Sequence, residues 1–170
     1  MSIFGPLAEA IKNQLIAAQS VAGTFSQTAC IEHPLDGLRE DEELQVLRVD
    51  VLMGDKTCEP LTRTLQKNAV RMDIVTRQLV KAMRASSQER TIVHGLMAYS
   101  EELDEYLAAS GNRAVPGATW AKWQHSEMVV PYSPALLRNS RLFYSLFRVT
   151  YFVATAYQSG DAAADAEEPY

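Results

Sequence analysis

The stretch Leu142-Phe143-Tyr144-Ser145-Leu146-Phe147-Arg148-Val149-Thr150-Tyr151-Phe152-Val153-Ala154-Thr155-Ala156 decides the fold. Aromatic and β-branched residues dominate it, so it reads as one long strand. Successive side chains of a strand point to opposite faces. Phe143, Phe147, Val149, Tyr151 and Val153 therefore lie largely on one face, and Leu146, Arg148, Thr150 and Phe152 on the other. A strand apolar on both sides belongs in mid-sheet, or packs helices on one face and a partner on the other.

Upstream of it, Pro131 and Pro134 bracket a short connection around Tyr132, and Trp120 to Val130 alternates weakly as a strand after the turn Val115-Pro116-Gly117. Before that turn, Ile92, Leu96, Tyr99, Leu103 and Tyr106 step by four, three, four and three residues, the signature of one apolar helical stripe. Ser87 is a weak start for this helix, because Arg90 stands where a capping box wants an acid, and Ser110-Gly111-Asn112 predicts its end. Glu101, Glu102, Asp104 and Glu105 fan around its outer side and read as a solvated face.

Nearer the N-terminus, Ala69 to Thr76 alternates Val70, Met72 and Ile74 against Arg71, Asp73 and Val75. Leu44 to Met53 and Thr24 to His33 are two further strand candidates, and Gly54-Asp55-Lys56 is a turn signal. The linker Gly54 to Asn68, with Pro60 in it, is too long for a tight hairpin and predicts an extended, mobile connection. Leu7, Ile11, Leu15 and Ala18 recur at helical spacing between Ile3 and Gln19, with Pro6 near the start. The order α-β-β-β-α-β-β predicts an α+β fold, a mainly antiparallel sheet with two helices packed on one face.

A chain of 170 residues suits one domain, expected over 1–157. Residues 158–170 carry Asp161, Asp165, Glu167 and Glu168 with no basic residue, and are expected to form a flexible acidic tail. No apolar run reaches the ~18 residues of a membrane span. The start Met1-Ser2-Ile3-Phe4-Gly5-Pro6 lacks the basic and apolar pattern of a secretory signal, so synthesis in the cytoplasm is expected. Cys30 and Cys58 have no zinc-ligand spacing and read as reduced thiols, able to pair in an oxidising medium if they lie on neighbouring strands.

Chemistry is sparse. His33, His94 and His125 are far apart and in no metal-binding context, and phosphate-loop, dinucleotide and nucleophile-elbow motifs do not occur. No catalytic residue, cofactor or metal is expected, and a single nearby cation, Lys122, argues against Trp120, Trp123 and Tyr132 as a nucleic-acid platform. These three aromatics read as packing residues or as anchors of a protein interface.

Charge is asymmetric. Between Glu32 and Glu43 stand six acids and one base; between Arg63 and Arg90 stand seven bases and two acids. Solvated surfaces, an intramolecular match or head-to-tail assembly would each account for this. In the last case Glu40, Asp41, Glu42 and Glu43 of one subunit meet Arg63, Lys67 and Arg71 of the next.

Val46-Leu47-Arg48-Val49-Asp50-Val51, then Glu59, Thr62-Arg63, then Val70-Arg71-Met72-Asp73-Ile74-Val75, resembles the paired strands of phage tail-terminator and tail-completion (neck) proteins. Leu96-Met97-Ala98-Tyr99-Ser100-Glu101-Glu102-Leu103 is similar to that family's Leu-rich helix with an internal acidic pair. Tyr132-Ser133-Pro134-Ala135-Leu136-Leu137, Arg141, Phe143 and Val149-Thr150-Tyr151 resemble its closing turn and strand. The resemblance implies a virion structural protein that forms a ring, commonly a hexamer, on the tail tube. It caps the tube and joins it to the head connector and neck proteins, with the sheath a further contact and DNA passing through the lumen. The linker Gly54–Asn68 and the acidic tail depart from the pattern. A connector stopper or a baseplate or tail-tip adaptor is the alternative within the virion, and a cytoplasmic small-ligand or peptide-binding module is the alternative outside it.

Overall fold

The computed structural model describes residues 3–60, 62, 65–82 and 85–156. Helix α1 (Phe4–Gln19) opens the chain and is followed by strand β1 (Cys30–Glu32), a 3-10 turn at Glu43–Gln45 and the long strands β2 (Arg48–Pro60) and β3 (Leu65–Leu79). Helix α2 (Ser86–Ala108), strand β4 (Ala121–Val130), a short helix α3 (Pro134–Ser140) and strand β5 (Leu142–Ala156) complete it. The five strands form one sheet in the order β1-β2-β3-β5-β4, antiparallel except that β1 runs parallel to β2. The expected α+β class and the sequence order of its helices and strands hold, with α3 added.

Alternation along β5 places it in mid-sheet, between β3 and β4. Phe143, Phe147, Val149, Tyr151 and Val153 are buried with Val70, Met72 and Ile74 of β3 and Val49 and Val51 of β2. Leu7, Ile11 and Leu15 of α1 and Leu96, Tyr99, Leu103 and Leu107 of α2 complete the same cluster. Both helices thus lie on one face of the sheet. At about 1.5–3 kcal/mol for each fully buried large apolar side chain, this layer is the main favourable term in folding. The buried stripe of α2 is rotated slightly from the sequence reading: Val93 and Leu107 are buried, while Ile92 and Tyr106 are only partly so.

Four local departures have physical causes. The candidate strand Thr24–His33 shrinks to Cys30–Glu32, because helices satisfy the backbone ahead of it. The Gln19 amide donates to the Ala29 carbonyl at 3.0 Å and accepts from its N–H at 2.9 Å, and Glu102 accepts from Ser26 N at 2.8 Å. Phe25 meanwhile packs edge-on against Tyr99 and Tyr106, with ring centroids 5.9 and 5.4 Å apart. A peptide group with a partner on a helix has no need of a ladder.

The end of α2 is the second departure. Gly111 is not left-handed; instead the Asn112 side chain donates to the Tyr106 carbonyl at 2.8 Å and Arg113 Nε to that of Ala108 at 2.9 Å. These side chains occupy carbonyls that a helix end leaves without intrahelical donors. The third is α3, in the stretch expected to be a plain connection. Ser133 caps it by accepting from Leu136 N at 3.3 Å, Pro134 occupies its first turn, and Arg141 ends it in the left-handed region at φ 56°.

The fourth concerns the linker Gly54–Asn68, which is extended as expected but, among its described residues, mostly part of the two flanking strands. β2 continues through it to Pro60, and β3 begins at Leu65, so the two form one long hairpin. Gly54-Asp55-Lys56 makes a bulge between Met53 and Lys56 in place of a turn. Gly54 is required there, because a Cβ at this position would sit 2.6 Å from the Arg71 carbonyl oxygen. The far half of β2, Met53 to Pro60, is exposed throughout.

Substituting Gly54 tests this close approach. Gly54→Ala drives a methyl into backbone that side-chain rotation cannot move, and is expected to cost about 1–3 kcal/mol. Thermal or urea unfolding of the purified variant measures it, and an unchanged midpoint rules the packing argument out.

Candidate functional site

The face of the sheet turned away from the helices carries the chain's densest polar chemistry. The connection from β1 to β2, residues 33–47, crosses this face. It is held through a carboxylate that the strand pattern would not place in a core: Asp50 is fully buried. Its two oxygens accept from Arg39 Nη2 at 2.6 Å and from Arg77 Nη2. Arg77 also donates to the Gly37 carbonyl at 2.6 Å, pinning the loop to β3. Arg39 reaches Glu32 at 2.6 Å and Glu43 at 2.8 Å, and Arg48 donates to Glu32 at 3.0 Å and to the Glu43 carbonyl at 2.8 Å.

A buried charge is tolerated only when paired and hydrogen-bonded. Here three arginines and three carboxylates from β1, the loop, β2 and β3 close on one another. Burial by itself would raise the Glu32 carboxyl, but hydrogen bonding and charge from Arg39, with charge from Arg48, hold it below the usual range. Glu43 is likewise lowered, chiefly by the backbone N–H of Glu40 and then, against burial, by Arg39. For Arg39, burial is outweighed by its carboxylate partners, which raise its pKa.

Farther along the same face the pairs are half exposed. Arg148 of β5 grips Asp73 of β3 with two bonds of 2.7 and 3.0 Å, and Arg71 pairs with Asp55 at 2.6 Å. Leu52, Tyr144, Leu146 and Phe152 are half-buried around them, and the Lys67 ammonium stands 5.4 Å from the Phe152 ring centroid. Among the described residues no helix covers this face. It combines half-buried apolar side chains with fixed charge pairs.

The ten residues singled out from sequence fall in different places. Glu40, Asp41 and Glu42 are exposed on the crossing loop, whereas Glu43 is spent on Arg39 and Arg48. Lys67 and Arg71 lie on the open face, and Arg63 lies outside the described residues. Trp120 is exposed just before β4; Trp123 is half-buried, with the Arg113 guanidinium 4.6 Å from its ring. Tyr132 is on the helix side of the sheet, packed against the core. Arg77 and Arg71 of the basic stretch pair with Asp50 and Asp55, outside the acidic stretch, so among the described residues no ion pair joins the two stretches to each other. Asp50, Arg39 and Arg77 were missed as a site, although an acid inside Val49-Asp50-Val51 was the visible signal.

Tyr132 helps line a groove of about 420 Å³ with Ser86, Glu89, Arg90, Val93, His94 and Leu137. Its histidine and carboxylate do not form an acid–base pair. Both oxygens of Glu89 accept from Arg141, at 3.1 and 2.9 Å, which lowers its pKa, and His94 has no hydrogen-bond partner among the described residues. His33 bonds the Val51 carbonyl at 2.7 Å, and His125 faces Thr150 at 3.4 Å. Among the described residues no cluster of three potential metal ligands occurs, and no helix is long and apolar enough to cross a membrane.

Cys30 and Cys58 do lie on neighbouring strands, but Cys30 is level with Arg48, ten residues from Cys58 along β2. That separation is about 33 Å, far beyond disulfide reach within one chain. No protein-family model matches the chain, and a search of curated proteins returns no relative.

Asp50→Asn leaves two buried guanidinium groups short of charge and is expected to cost about 3–5 kcal/mol in chemical denaturation. Because Glu32 and Glu43 have lowered pKa values when folded, their contribution is complete above the unfolded value of about 4.3 and is lost as pH falls through the folded values. Melting temperature should therefore decline below about pH 4.5, and Arg39→Met should flatten that decline. An equally steep acid limb in the variant would contradict the assignment.

Proposed function

We propose that this chain is a virion structural protein, a tail-terminator or tail-completion subunit whose ring caps the tail tube and joins it to the head connector. The observation that carries the reading is the long β2–β3 hairpin beside a mixed apolar and charged sheet face that the loop 33–47 covers only in part. A strand pair that is exposed along its outer half, yet kept in register with β5, is shaped to lie against another subunit. The strands, helix and closing segment that resemble the neck proteins make up this framework.

The partners of the reading are other copies of the chain, in a ring that the resemblance implies to be hexameric, then the tube protein and the neck proteins. Glu40, Asp41 and Glu42 remain free to meet the basic residues of a neighbour, and Trp120 is an exposed aromatic beside β4. A head-to-tail contact between unlike surfaces closes into a ring when its rotation divides the circle. In this reading the paired side chains serve to hold surfaces in place. A connector stopper uses the same kinds of surface and differs in its partner.

Native mass spectrometry of the purified full chain tests the proposal. A closed ring that also captures tail-tube subunits is the expected result. A strict monomer at about 100 μM, well above the Kd of a micromolar contact, would remove the basis for it. Charge reversal at Arg63, Lys67 and Arg71 together should shift the rings toward smaller species; rings of undiminished stability would reject charge matching as the link.

A further inference from the structure

The groove between α2 and α3 is used neither by the open sheet face nor by the hairpin. Val93, Leu137 and the Tyr132 ring form its apolar part, and Arg90 and His94, both exposed, stand at its rim. Arg141 neutralises Glu89, the groove's one lining carboxylate, while Arg90 forms no ion pair among the described residues. Arg138 on α3 and Lys81, whose carbonyl accepts from Arg141 at 3.2 Å, add positive charge nearby. The surroundings therefore hold Lys81, Arg90, Arg138 and Arg141 against Glu89. A groove of about 420 Å³ with an apolar floor and a cationic rim suits an acidic peptide carrying an aromatic residue.

One segment of this chain has that chemistry. Asp161, Asp165, Glu167 and Glu168 are followed by Pro169-Tyr170, with no basic residue from 158 onward. The register of the sheet says which copy supplies it. Ala156 pairs with Leu65 at the hairpin end of β5, and Leu142 pairs with Leu79 at the groove end. The strand between them is about 46 Å long at ~3.3 Å per residue. The groove is level with Tyr144, whose carbonyl accepts from Ser133 N at 3.1 Å, and so lies about 40 Å from Ala156. Ala156 to Glu168 spans about 40–43 Å at full stretch, so the chain's own tail would reach its groove only by giving up nearly all of its conformational freedom, whereas a neighbouring copy can present the segment relaxed. We infer that the groove receives the acidic segment 161–170 of a second copy, with Glu167 and Glu168 against Arg90 and His94 and Tyr170 against Tyr132 and Leu137. The inference rests on the self-assembly in the proposed function and names a link for it, running from the hairpin end of one subunit to the α2–α3 end of the next.

The test titrates a fluorescent peptide of residues 158–170 onto the full-length chain carrying D161N, D165N, E167Q and E168Q, so that the chain's own tails do not compete. Saturable anisotropy is expected, weakened about tenfold or more by Arg90→Glu and by added salt. Tyr132→Ala should weaken it as well. Arg90 is exposed, so an unshifted melting curve identifies a folded variant. No saturable binding, or equal binding by the Arg90→Glu chain, overturns the inference. Sedimentation of the unaltered chain separates the two readings. Rings without peptide binding refute the groove contact alone. Arg90-dependent peptide binding by a chain that associates without closing into rings upholds the contact and refutes the terminator reading; a chain that stays strictly monomeric overturns both.

Discussion

The pairing of β3 with β5 is the constraint on which everything else depends. Their contact runs without a break from Leu65 opposite Ala156 to Leu79 opposite Leu142. Because side chains alternate, a slip of one residue would carry Phe147, Val149 and Tyr151 to the open face and bring Arg148 under the helices. Register is therefore dictated by burial: one setting lets both strands present their apolar rows to α1 and α2. The same setting aligns Asp73 with Arg148 on the opposite face. The long pair also supports the exposed half of β2, so the hairpin stands out from the body on a continuous ladder.

The second organising feature is the buried Asp50. A parallel neighbour such as β1 needs a crossover, and most parallel pairs obtain it from a helix. Here an irregular loop crosses instead, bonded through Arg39, Arg77 and Arg48. Such a cluster is weak as a source of net stability, since desolvation offsets much of the attraction. Nε of Arg39 and of Arg77 are buried without a partner, which adds to that cost. Its effect is positional. It sets where residues 33–47 lie, covers the sheet beside β1, and leaves Glu40, Asp41 and Glu42 facing outward.

These two features give the molecule unlike ends. The hairpin and the end of β5 lie at one, the groove between α2 and α3 at the other, with the partly covered sheet face running between them. In the proposed assembly, contacts between these unlike ends would propagate in one direction, the geometry that a ring or stack requires. Ion pairs gather on the sheet face away from α1 and α2, while Glu40, Asp41 and Glu42 on the crossing loop, Glu101 and Glu105 on the outer side of α2, and Arg90 and Arg138 near the groove are in no ion pair among the described residues.

Much of the fold was legible in the sequence. The two-sided strand Leu142–Ala156, the alternation of Val70, Met72 and Ile74, and the stripes of α1 and α2 all follow from periodicity, because burial of one face imposes the repeat of the element. The class and the order of elements followed from these. What the tertiary structure alone decided was which partner each local signal would find. Gly54-Asp55-Lys56 carries the residues of a turn and became a bulge, since a neighbouring backbone passed within contact distance. Phe25 alternates like a strand residue and went to Tyr99 and Tyr106, because two helices took up the peptide groups ahead of β1. The acids and bases read as opposed surface patches proved to include a buried cluster, as charges distant in sequence meet only when strands pair. Periodicity reports which side of an element is buried; it carries no information about what lies on the other side of the contact.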